Sequence, residues 1–225
     1  MLLFFVILLA AILLLVLLVY EKREEQNPRL IAKTILSCLF VLVAFLQSSS
    51  VPSYGNFILI GLIFCLAGDV CLALPGEKIF REGLVAFLIG HIFYVIGFTY
   101  LVPVSHWILP RAILFWVFSL LVFVWLRPHL KAMLIPVVVY ILVITVMASG
   151  AWAVFDRSAS PFWGRTFVFV GAFLFYVSDV FVARNQFVKR EFLNRLIGLP
   201  LYYAGQFLLA FSIGLLQMKE MGIIK

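Results

Sequence analysis

Charge is scarce in this sequence. Only 12% of its 225 residues are Asp, Glu, Lys or Arg, about half the share in a soluble domain, while 65% are hydrophobic and the mean hydropathy is +1.18. No water-soluble fold of this size could hide so much apolar surface. Polar stretches long enough for a soluble domain are missing, and so is the alternation of a barrel strand. The apolar runs are continuous, so the solvent is lipid and the spans are helices, which satisfy their own backbone there. Cysteine is also sparse: Cys38, Cys65 and Cys71 all fall inside apolar runs, odd in number and without metal-motif spacing, and read as small core residues. No Gly-x-Ser-x-Gly elbow and no His-Glu-x-x-His occur. Two Asp and one His within the spans are too thin a donor set for a metal site, so no metal is expected.

What is present is a series of apolar segments near Leu2–Tyr20, Leu30–Leu46, Gly55–Leu74, Ile79–Leu101, Arg111–Leu126, Leu130–Gly150, Thr166–Ala183 and Leu196–Gln217. Each is close to the roughly 20 residues that cross a bilayer. The connectors carry the breakers and charges, among them Pro75–Glu77, Pro103–Pro110 and Arg184–Arg195. The first segment lacks a basic leader and a small-residue cleavage site, so it reads as a retained span. The net charge of +7 comes from short loops, a membrane pattern rather than a nucleic-acid one, and no nucleic-acid partner is expected. Twelve of the 17 Lys and Arg fall near the loops after spans one, three, five and seven. The positive-inside rule puts those loops in the cytoplasm and both termini outside. Short loops and the lack of a targeting tail point to a bacterial inner membrane.

The chain also repeats itself. Span three reads Gly61-Leu-Ile-Phe-Cys-Leu-Ala-Gly-Asp69-Val-Cys-Leu-Ala73, and span seven reads Gly171-Ala-Phe-Leu-Phe-Tyr-Val-Ser-Asp179-Val-Phe-Val-Ala183. Gly83-Leu84 with Gly90-His91 in span four is matched by Gly198-Leu199 with Gly205-Gln206 in span eight. The expected fold is therefore an all-α integral membrane protein of about eight transmembrane helices in two parallel four-helix repeats, one near residues 1–102 and one near 110–217, forming a single transmembrane domain. The glycines spaced by seven read as stripes for close helix packing.

Asp69 and Asp179 each lie about five residues before a cytoplasmic turn, roughly 8 Å inside the boundary. An aspartate near a span centre costs about 2.5–3.5 kcal/mol on insertion scales, so two at matched positions imply a function. A neutral, hydrogen-bonded structural Asp is the bland alternative. His91 and Tyr94, one turn apart, and Tyr203 and Gln206 in the matching span are expected to line the floor of a cleft below the aspartates. Lys33 and Arg81 enter spans two and four from the same leaflet. Each either snorkels to the interface or holds a phosphate.

The stretch Gly61–Asp69, the run Gly83-Leu-Val-Ala-Phe-Leu-Ile-Gly-His91-Ile-Phe-Tyr94 and the run Gly171-Ala-Phe-Leu-Phe-Tyr-Val-Ser-Asp179 together resemble the lysoplasmalogenase family, also called the YhhN type. The resemblance covers nearly the whole chain, least distinctly in span eight. Lys33, Tyr140, Tyr203 and Gln206 also fall at expected family positions. It implies an enzyme without a cofactor that hydrolyses the vinyl ether bond of 1-alkenyl lysoglycerophospholipids, releasing a fatty aldehyde and the glycerophospho-head group. Its two acidic residues map onto Asp69 and Asp179, and its partners are a lysophospholipid substrate and membrane lipid.

The residues suit that chemistry. A vinyl ether is hydrolysed by protonating its outer alkene carbon. Two close carboxylates in low dielectric retain one proton between them, so one Asp acts as acid while the other stabilises the cation and activates water. The spacing leaves open which does which. A proton-coupled transporter is the main alternative, since parallel repeats around acidic residues also describe carriers. An intramembrane aspartyl protease is more distant, because Leu66 breaks the Gly-x-Gly-Asp pattern and no Pro-Ala-Leu motif occurs.

Overall fold

A computed structural model of the chain describes residues 2–107 and 112–216. The expected span limits Arg111 and Gln217, the loop residue Pro110, and Lys219 and Lys225 of the charge count lie outside the described residues.

Among the described residues the chain forms eight α-helices and no strand: α1 (Leu2–Arg23), α2 (Gln26–Leu46), α3 (Pro52–Ala73), α4 (Glu77–Thr99), α5 (Ile113–Leu126), α6 (Leu134–Arg157), α7 (Phe162–Ala183) and α8 (Phe192–Leu215). Seven are long and apolar enough to cross a membrane. At 22 residues, α3 and α7 each rise about 33 Å, enough for a hydrocarbon core of about 30 Å. The exception is α5, with only 14 residues. A 3₁₀ turn over Arg127–His129 extends its apolar segment to the short end of the spanning range.

Local sequence sets the ends. Pro52 begins α3, where its missing N–H is one that a helix start leaves unpaired anyway. Gly76 turns the chain between α3 and α4 with φ +122°, a backbone state that L side chains rarely adopt. The sixth span, Lys131–Arg157, opens with a second 3₁₀ turn at Lys131–Met133 before α6 begins at Leu134. Lys131, with φ +43°, marks that turn.

The two closest helix pairs are α3 with α4 and α7 with α8. Both rest on facing glycines. A Cβ on Gly61 or Gly90 would stand 2.9 Å from the other's carbonyl oxygen, and Gly171 and Gly205 face each other in the same way, at 2.9 and 2.7 Å. Real Cβ atoms essentially never come so near, and close backbone approach of this kind drives helix association in lipid. Further contacts are reciprocal: α2 packs on α3 and α8, while α6 packs on α7 and α4. The outer helices α1 and α5 lean mainly on α2 and α6. The main core runs through the bundle. A smaller apolar cluster around Leu126, Leu130, Met133 and Val137 fills the end that carries most of the basic loops, called here the basic end.

Candidate active site

Asp69 and Asp179 each sit four residues before the end of their helix, so both lie about 6 Å along the axis from it. Both line one cavity, with about 1080 Å³ of atom-free space when its open mouth is included. The walls are largely apolar and come from α2 to α8, with Phe187, Asn194 and Arg195 at the basic end and Ser119, Ile144 and Tyr176 at the other.

The two carboxylates have unequal company. Asp69 is buried. Its Oδ1 lies 3.1 Å from Lys33 Nζ, and its Oδ2 accepts hydrogen bonds from Ser37 Oγ and from Tyr202 OH, each at 2.6 Å. Lys33 and Ser37 stand one turn apart on α2 and so present both groups from one face. Tyr202 OH in turn accepts from Gln206 Nε2 at 3.2 Å, and Gln206 Oε1 accepts from Tyr94 OH at 2.8 Å. Every proton in this chain points towards Asp69, so each bond polarises the next. Asp179 is half-buried at the cavity wall. It accepts one hydrogen bond, 2.6 Å from Tyr140 OH, and has no ion pair among the described residues. The difference arises in the helix that packs on each aspartate's own helix: α2 brings a cation and a hydroxyl to α3, whereas α6 brings one phenol to α7.

The other expected residues divide. Tyr94, Tyr203 and Gln206 are buried behind the cavity wall rather than lining it. Tyr203 contacts Ser37 Oγ and the Lys33 carbonyl, both at 3.4 Å, so it supports α2. His91 is fully buried among aromatic rings, 4.5 Å from the Phe175 centroid and 5.3 Å from that of Tyr140. The Phe87 carbonyl lies one turn back, yet neither ring nitrogen makes a hydrogen bond of good geometry. Arg81 is exposed, pairs with Glu77 at 2.9 Å on its own helix and does not line the cavity. Its partner four residues back is simply nearer than the cleft.

Sequence reasoning missed Ser37, Tyr202 and Arg195. Ser37 follows Lys33 at helical spacing, and Tyr202 shares the four-residue stripe Gly198, Tyr202, Gln206, so both had a signal. Arg195 had none, since its place depends on how α8 meets α1: its Nε lies 3.8 Å from Glu21 Oε2, which Arg29 also approaches at 3.7 Å. Of these three charged groups only Arg195 lines the cavity, at its basic end. No group of three or more His, Cys, Asp or Glu that could hold a metal occurs among the described residues.

Outside the spans, Arg184 and Lys189 clamp Glu191 at 2.8 and 2.5 Å and close the turn between α7 and α8. The hydrogen bond from Lys189, then that from Arg184, holds the half-buried Glu191 carboxyl below its ordinary value.

Comparison with known proteins agrees with this architecture. A profile described as the YhhN family matches residues 28–213, which hold both aspartates and all of their bonded partners. The chain is 32% identical over 176 residues to Lysoplasmalogenase TMEM86B of Mus musculus, covering 77% of this chain and 71% of the relative. It is 28% identical over 189 residues to Uncharacterized membrane protein YhhN of Escherichia coli O6:H1, covering 82% and 86%. Lysoplasmalogenase TMEM86A of Homo sapiens is 29% identical over 189 residues, covering 80% and 77%. No solved structure matches the chain. A profile spanning most of the sequence, over a helical membrane bundle with two intramembrane aspartates at one cavity, makes this chain a member of the YhhN family.

Proposed function

We propose that this protein is a lysoplasmalogenase, hydrolysing the vinyl ether bond of 1-alkenyl lysoglycerophospholipids to a fatty aldehyde and a glycerophospho-head group. The observation that carries the reading is the unequal pair: two carboxylates at one apolar cavity, one with a cation and two hydroxyl donors, the other with a single phenol. The relatives named lysoplasmalogenase support the reaction class.

Asp69, opposite Lys33 and accepting two more bonds, is the carboxylate. Asp179, without a cation, carries the proton, because an unpaired charge in low dielectric is far costlier than a neutral acid. Asp179 gives its proton to the outer alkene carbon, and the ether carbon becomes an oxocarbenium ion that Asp69 stabilises electrostatically. Water adds to that carbon and returns a proton to Asp179. The resulting hemiacetal collapses, its hydroxyl proton leaving as the glycerol oxygen gains one, to aldehyde and alcohol. The logic parallels the two-carboxylate glycosidases.

The basic end faces the cytoplasm in this reading, and the membrane is the cell membrane. The head group lies at the basic end of the cavity, with Arg195 contacting its phosphate. The two four-helix units are repeats of one ancestral unit, as the facing pairs Gly61–Gly90 and Gly171–Gly205 suggest. The test is purified protein in detergent with a lysoplasmalogen and its saturated ether analogue. Aldehyde from the first alone is expected. Counterflow of substrate in sealed vesicles without product would instead favour a transporter.

A further inference from the structure

The aspartate cavity is short on its apolar side. From Tyr140 to Ile144, its last lining residue on α6, the helix rises only about 6 Å, which a long hydrocarbon chain outruns. A second, apolar groove begins where the cavity stops. Leu114 and Phe115 of α5, Trp152 of α6 and Phe169 and Phe173 of α7 line it, and Phe118 and Tyr176 belong to both spaces.

The wall between them is thin. Although α5 packs on α6, it stands off from α7, and side chains bridge the gap. Tyr176 OH donates to the Phe115 carbonyl at 2.9 Å and contacts Ser119 Oγ, while the Phe118 and Tyr176 rings lie 5.5 Å apart. Only Ser119 and Leu126 of α5 are buried, and Leu114 is 67% exposed on the lipid side. Few contacts therefore hold this helix in place.

We propose that the gap between α5 and α7 is a lateral portal, with Phe118 and Tyr176 as its threshold, and that the substrate's hydrocarbon tail passes it to lie in the outer groove. The inference rests on the hydrolase reading. The tail is the fitting occupant because the groove adjoins the acid cavity across Phe118 and Tyr176, and its one hydroxyl, Tyr176 OH, is already engaged. From Asp179 to Phe169 is ten residues, about 15 Å along α7, so the two spaces together hold a long chain in line with the helix axis.

The experiment compares a long-chain lysoplasmalogen with a short-chain, water-soluble vinyl ether analogue in wild type, Leu114→Trp and Phe118→Ala. Leu114→Trp fills the groove from a lipid-exposed position that the fold does not lean on. It is expected to lower the long-to-short ratio of kcat/KM by roughly tenfold, as for about two methylenes left unburied. Phe118→Ala is expected to raise that ratio by widening the threshold. Cleavage of both substrates with the ratio unmoved in both variants overturns the portal and leaves the hydrolase reading standing. Cleavage of neither by wild type overturns the hydrolase reading itself. A ratio that follows a change of oligomeric state in Leu114→Trp makes the groove a contact between copies of the chain, which also overturns the portal.

Discussion

Lys33 Nζ stands 3.1 Å from Asp69 Oδ1, and the two side chains are only 4% and 2% exposed. A pair sealed this far from water is a weak source of stability, but breaking it by removing one partner leaves a buried charge with nothing opposite. This pair separates the two aspartates chemically.

Lys33→Met is expected to destabilise the protein by about 3–5 kcal/mol. The double variant Lys33→Met with Asp69→Asn is expected to recover much of that loss. Thermal unfolding in detergent measures both, and a double variant no more stable than the single one would show that the pair does not couple.

Asp179→Asn removes the proposed acid and is expected to lower kcat about 10²–10⁴-fold. Asp69→Asn removes the charge opposite the developing cation and is also expected to abolish most of the aldehyde release. Full activity in either variant ends the two-carboxylate mechanism.

The neighbouring tyrosines on α8 give a sharper comparison. Tyr202→Phe deletes a bond to Asp69 worth about 1.5–3 kcal/mol, and activity is expected to fall roughly ten- to a hundredfold. Tyr203→Phe removes only two 3.4 Å contacts, and a much smaller loss is expected. Equal effects in an aldehyde assay would contradict this division of roles.

Gly90→Ala would set a Cβ 2.9 Å from the Gly61 carbonyl, a backbone clash expected to cost about 1–3 kcal/mol. At Gly97 the nearest atoms would be 3.4 Å or more away, so Gly97→Ala is expected to be tolerated, with a helix-propensity gain of up to about 1 kcal/mol. Melting temperatures of the two variants in detergent should move apart.

Acid should loosen the turn between α7 and α8. The Glu191 carboxyl is held below its ordinary value by Lys189 and Arg184, so its contribution is present above the ordinary carboxylate range. It is lost as pH falls through the lowered folded value. Amide exchange at residues 184–191 is expected to rise there, and Glu191→Gln should remove that pH dependence.

The aspartates were legible because a charge inside an apolar run needs a reason, and because the run recurs with the same offsets. The glycine stripes were legible for a similar reason, since spacing by seven lays residues on one helix face. Tyr202 was harder to separate from Tyr203, because two adjacent phenols leave the choice to the rotation of α8 about its axis. The direction of Arg81 was not legible, because depth in the membrane says nothing about which way a side chain turns.

What the sequence by itself determined is the helical membrane class, the repeated motif and the two acids within apolar runs, all set by solvent and local periodicity. Only the tertiary structure decided that α2 brings Lys33 and Ser37 to Asp69 while α6 brings Tyr140 alone to Asp179. It also decided that Arg195 joins the cavity lining and that α5 stands away from α7. Those features depend on which helix faces which and at what rotation. In lipid, that is settled by side-chain fit summed over every interface rather than by any one segment.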